Sequence, residues 1–363
     1  MYNVLNGGNM LTNKYSKRIY NSILPVELIN PYPAIDDRIF WENLNNIILR
    51  VIEVKPTAHD LKPLKGTVLL DAFQTGDTSV IETLFKEKND ALIFTSLLGC
   101  INDKSEYIIE ALDMAWSVMD MALWHLPSTK TSSSKEEYIY RPVIDESAAN
   151  TAGNVLYSYY LLKSRYDSFD INIGKRFEFE IRNRIIQPFF DRSDDWMQRS
   201  NGNYMPCVPG ILSNVLIGIL LFEADYIKKH DAVRQSLVII DSILENADTY
   251  NAAERRELYN GLITFFDCLY MATGSAFDVF NDFPGHVLSD LASQDNDYSS
   301  MDSISLLRHV LYTDDPYIAQ QVYKDYTGEQ LLQLCGSDTS LERILFLIDN
   351  SDLILNKFYL KES

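Results

Sequence analysis

This sequence predicts an all-α fold, built as an incomplete α/α toroid of helical hairpins. Three observations carry the prediction. Apolar residues recur at helical spacing along most of the chain. Segments that are apolar nearly all round alternate with amphipathic ones. No stretch keeps a period-two alternation between hairpin turns, so no substantial β-domain is expected. An all-round apolar helix must be covered on both sides, whereas an amphipathic one faces water. Their alternation therefore reads as two concentric layers, inner helices shielded by outer ones.

The elements follow in order. Residues 1–22 form a polar, Asn-rich segment set apart from a helical domain over 23–363. The segment has no apolar h-region, so a cytoplasmic location is expected. Residues 37–54 place Ile39, Phe40, Leu44, Ile47, Ile48 and Val51 at helical spacing. Residues 67–73 are an isolated stretch that suits an extended segment. Helices are expected over 79–98 and 105–123, the second opened by a Ser105 cap. Residues 130–137 read as a solvated loop. The span 145–164 puts Val155, Leu156, Tyr159 and Leu162 on one face, and 171–190 alternates charged residues with Phe and Ile. Residues 208–226 are apolar nearly all round, 231–246 amphipathic and 254–273 mostly apolar. After Asp282 turn signals multiply, at Pro284-Gly285, in a Ser/Asp-rich run and at Pro316, and shorter hairpins are expected there.

Composition narrows the function. The chain has 363 residues, 46% of them hydrophobic, which is enough for a sizeable core. Its formal charge of -19 argues against a nucleic-acid partner, which demands a basic face. The longest apolar run, 211–222, falls short of the roughly 20 residues a membrane span needs, so no membrane partner is expected. Cys100, Cys207, Cys268 and Cys335 stand far apart and read as reduced, mostly buried thiols. His59, His230, His286 and His309 show no metal-ligand spacing, and no phosphate loop or GxSxG elbow occurs. Neither a metal nor a cofactor is therefore expected.

The chemistry concentrates in the loop 194–207. Trp196 and Tyr204 supply rings, Asn201 and Asn203 amides, and Arg199 a cation; Gly202 and Pro206 break helices there. Such a loop between long apolar helices is costly to order unless it forms a site. Several segments resemble, in order, the N-terminal toroid of the heparinase II/III-like polysaccharide lyases. Residues 70–77 resemble an F-x-x-TG segment, and Ala122-Leu123-Trp124-His125-Leu126-Pro127 an SW-x-x-PAH turn. Residues 144–152, leading into 159–162, resemble the family's YYLL helix. Trp196 with 201–206 resembles W…NNW-x-P, and Tyr259 with 266–274 resembles YW…LFD-x-LE…TGG.

The resemblance implies β-elimination on a uronic-acid-containing polysaccharide. A donor must neutralise the uronate carboxylate, a base must take the C5 proton, and an acid must protonate the leaving oxygen. Residue by residue, it makes Asn203 the carboxylate neutraliser and Tyr259 the proton donor or base. It places His125 beside them, with Trp196, Tyr204, Asn201, Arg199 and Trp124 binding the glycan. The two principal groups, Asn203 and Tyr259, are expected to face a central hollow. An acidic polysaccharide is then the partner, with a β-sandwich domain expected beyond this chain.

Blander roles stand beside these. Asn203 suits a helix cap, Tyr259 a buried phenol, His125 a helix-end histidine and Trp196 a core ring. Arg199, Arg255 and Arg256 suit either a basic pocket or a solvated surface. Asn201-Gly202-Asn203-Tyr204 departs from the family's double Asn and Trp, and the Gly-rich approach to Tyr259 is replaced by Glu254-Arg255-Arg256-Glu257-Leu258. Two rival readings follow: a non-catalytic glycan-binding or scaffold relative, and a toroid glycoside hydrolase using Asp145 and Asp195.

Overall fold

A computed structural model describes residues 10–19, 22–54, 63–127, 141–191, 197, 203–282, 301–313 and 316–359. Among these residues the protein is all-α, with no strand. No helix among them is long and apolar enough to cross a membrane. The chain divides into two compact units, Met1–Pro31 with Ser193–Tyr326, and Tyr32–Arg192 with Thr327–Ser363.

The first unit is centred on two neighbouring helices, Val208–Phe222 and Ala252–Ala272. Both are buried along most of their length. They meet at Gly210 and Gly261, where a Cβ on Gly261 would lie 2.6 Å from the Gly210 nitrogen. Absent side chains at both positions let the backbones touch. The apolar run read as 208–226 ends at Phe222, because Asp225 opens the next helix, Tyr226–Glu245, by accepting the Ile227 N–H at 2.9 Å. Asn251 and Glu254 form a capping box that starts Ala252–Ala272.

Part of the polar 1–22 segment is also helical. Met10–Ile19 packs against Tyr226–Glu245. The Asp241 carboxylate accepts the Leu11 and Thr12 N–H groups at 2.8 and 2.9 Å and the Thr12 hydroxyl at 2.6 Å. A cap supplied by another helix thus satisfies donors that a helix start leaves open.

The second unit stacks Ser79–Asn102 against both Ser105–Met119 and Glu146–Phe169, and the latter against Asn172–Ile181. Polar pairs register the stack from inside. Ser96 bonds Ser158 at 2.7 Å, and Asn154 donates to Asn89 at 3.0 Å while accepting the Leu341 N–H at 2.9 Å. Buried polar atoms satisfied in this way fix one alignment of otherwise interchangeable apolar faces.

Several local expectations are corrected. Residues 37–54 split into Arg38–Glu42 and Asn46–Glu53, since Asn43 donates to the Ile39 carbonyl and Asn45 caps the second helix through Ile47. Residues 67–73 lie in a helix, Gly66–Thr75, stopped by left-handed Gly76 at φ 79°. Ser105 is the first helical residue and makes no capping bond; Lys104 holds the cap position. The loop 130–137 and the Pro284-Gly285 turn lie outside the described residues. All four cysteines are free, with Cys100, Cys268 and Cys335 buried and Cys207 partly exposed.

Candidate binding pocket

A pocket of about 260 Å³ opens in the second unit. That is just under the roughly 300–1,000 Å³ of ordinary small-molecule sites, a size suited to one ring-sized group. Three pieces of chain make it: the turn after Ser105–Met119, the approach to Glu146–Phe169, and the end of Asn172–Ile181.

The turn is folded back on its own helix. The Trp124 indole N–H donates to the Val118 carbonyl at 3.0 Å. Arg184 then closes the helix end from outside, donating to the Met119 and Met121 carbonyls at 3.3 and 3.0 Å. These are carbonyls that a helix C-terminus leaves without intrahelical partners. The same guanidinium sits 4.8 Å from the Trp124 ring centre and pairs with Glu180 at 2.6 Å. Its donors are thus committed to the wall of the pocket. Glu180 is itself buried and shared with Arg176 at 3.1 Å.

The third wall contains a wide π-turn, Arg182–Ile186, in which the Gln187 N–H donates to the Arg182 carbonyl. Pro188 supplies the cause. Its ring crowds the carbonyl four residues back, at 184, and it has no N–H to bond there. The turn widens, and Asn183 and Arg184 within it line the pocket. Such π-turns occur often at functional sites. The Asn183 amide makes no hydrogen bond among the described residues.

The remaining lining is Arg141, Pro142 and Val143 on one side and Phe179 on the other. Phe179 is 59% exposed, an aromatic face held in water at the pocket. Behind the wall, Asp145 accepts N–H groups from Ala148 at 2.7 Å and Leu126 at 2.9 Å. One carboxylate thus ties the helix start to the turn. Burial pushes its carboxyl up to about 6, opposed by those two donors.

The expected site residues fall as follows. Trp124 and His125 line the pocket, but each is only 2% exposed. Trp124 is covered by Arg184, so the ring open to a ligand here is Phe179. Asn203 belongs to the first unit, where its amide donates to Thr249 at 3.1 Å. It does not cap Val208–Phe222, whose cap position is Cys207. The Tyr204 carbonyl accepts the Tyr250 hydroxyl at 2.7 Å. Tyr259 is fully buried, its hydroxyl 2.8 Å from His309 Nδ1. The expectation that this phenol faces a hollow is therefore corrected: it is sealed within the first unit. Trp196, Arg199, Asn201 and Asp195 lie outside the described residues.

Phe179, Asn183 and Arg141 were not singled out by sequence reasoning. Pro188 inside an otherwise helical run was the available signal for the first two. Arg141 carried none. No family model and no curated protein matches this chain. Among the described residues no cluster of three or more His, Cys, Asp or Glu could hold a metal ion.

Proposed function

We propose that this protein binds an acidic saccharide, with a carboxylated sugar seated in the pocket of the second unit. The observation that carries the reading is the Asn183 amide, which has no hydrogen-bond partner among the described residues, in a pocket that Arg141 and the exposed Phe179 ring also line. An amide and a guanidinium suit a carboxylate. The ring face suits the CH face of a pyranose. Binding is favoured over turnover because Tyr259, the acid or base that the lyase resemblance implies, has no solvent-facing surface.

Calorimetric titration with glucuronate, galacturonate and glucose tests this reading. The uronates are expected to bind and glucose to bind at least about tenfold more weakly, the order of one charge-assisted contact. Asn183→Ala and Arg141→Ala should each weaken uronate binding without shifting the thermal midpoint much. Equal affinity for glucose, or no uronate binding, defeats the proposal.

Elimination on uronate glycans is the second reading. The Tyr259–His309 hydrogen bond favours it, because a phenol held on an imidazole can exchange a proton. Turnover would raise ultraviolet absorbance as unsaturated uronate forms, and Tyr259→Phe would abolish it. Reducing ends released without that absorbance would instead indicate hydrolysis.

A further inference from the structure

We propose that the ligand continues past the pocket as an oligosaccharide lying over the face made by Phe179, Arg176 and Trp116. This rests on the saccharide reading above and adds to it a chain of at least two units. The face is continuous with the pocket through buried Glu180, whose carboxylate holds Arg184 in the pocket wall and Arg176 outside it, at 2.6 and 3.1 Å. Arg176 lies over the Trp116 ring, 5.6 Å from its centre. Trp116 is 38% exposed on the solvent side of Ser105–Met119. Phe179 stands one turn from Arg176 on the neighbouring helix.

The charge on this face selects the occupant. Arg176 is matched by Asp120 at 2.9 Å and by Glu180, so the cation beside the ring is already neutralised. A polyanion or an anionic membrane gains little from such a surface. Sugar hydroxyls both donate and accept, and paired guanidinium and carboxylate groups offer them both roles beside an aromatic face. The carboxylated unit thus belongs in the pocket, where the Asn183 amide has no hydrogen-bond partner among the described residues. Units rich in hydroxyls belong over Trp116.

The experiment measures affinity for uronate mono-, di- and tetrasaccharides, using intact protein, Trp116→Ala and Trp116→Phe. Affinity of the unaltered protein is expected to rise about tenfold or more from one unit to four, the order of one aromatic contact. Trp116→Ala should leave the monosaccharide affinity unchanged and remove that rise, and Trp116→Phe should restore most of it. Monosaccharide binding with no dependence on length overturns this inference and leaves the pocket reading standing. Absence of all uronate binding overturns both. Equal loss for every length in Trp116→Ala overturns it too, by showing a structural role. Sedimentation is run alongside: a self-associating protein that Trp116→Ala makes monomeric assigns the face to a second copy of this chain, against the proposal.

Discussion

Asp145 carries a charge that the fold disfavours. Its carboxyl titrates near 6 in the folded chain, against 3.8 for an unperturbed group, so the folded state binds the proton more tightly. The favourable contribution is fully present below about pH 4 and is lost as pH rises through 6. For a partly exposed group this amounts to about 1–3 kcal/mol. Asp145→Asn cannot ionise, so denaturation across pH 4 to 7 should show a shallower decline in stability than the unaltered protein. Parallel profiles would refute this assignment. Asp267 presents the opposite case. It pairs with Arg308 at 3.3 Å, both side chains 1% exposed, and accepts the Tyr312 hydroxyl at 2.5 Å. Asp267→Ala removes a carboxylate partner from a buried cation, and a loss of about 3–5 kcal/mol is expected from urea unfolding. A loss under about 1 kcal/mol would mean that water reaches the guanidinium.

Two glycines on facing helices make a test of packing at the level of elements. A Cβ at Gly261 would meet the Gly210 nitrogen at 2.6 Å, and backbone cannot swing aside as a side chain does. Gly261→Ala should therefore destabilise by about 1–3 kcal/mol as Ala252–Ala272 is pushed away from its neighbour. At Gly210 an added Cβ finds its nearest atom, the Gly261 Cα, at 3.7 Å, an ordinary contact. Gly210→Ala should be neutral or stabilise by up to about 1 kcal/mol, since alanine loses less chain entropy in a helix. Thermal unfolding of the two variants reads both signs, and matched effects would show that the helices adjust freely. The capping boxes at Asn251 and Thr327 and the side-chain cap at Asp225 show the same local logic. Helix starts of this kind are legible because donor and acceptor lie within three residues. The π-turn was less legible: Pro188 marks a disturbance, but which side chains it turns into a pocket depends on the neighbouring helices.

For the whole molecule, the formal charge of -19 sets the response to salt. Like charges repel in the compact state, and the screening length falls to about 10 Å at 0.1 M salt. Exposed pairs such as Arg165 with Asp36, 2.7 Å apart, weaken under the same screening but contribute only about 0–1 kcal/mol each. Repulsion is therefore expected to dominate, and the thermal midpoint should rise between 10 mM and 500 mM sodium chloride. A falling midpoint would show that ion pairs such as Arg165 with Asp103 outweigh it.

The sequence by itself determined the all-α character and most helix positions, because helical spacing, caps and breakers act between residues a few places apart. It also directed attention to the turn carrying Trp124 and His125, though not to the neighbours that make that turn a pocket. Tertiary structure decided which side chains are open and which are spent. Tyr259 looked available on a helix, yet it is closed in against His309, 50 residues away. Arg184 lies in a run read only as charged residues alternating with Phe and Ile, yet it caps another helix some 60 residues earlier in the chain. Burial and pairing are set by residues distant in sequence, and a periodic pattern reports only which face of a helix is apolar, not what comes to cover it.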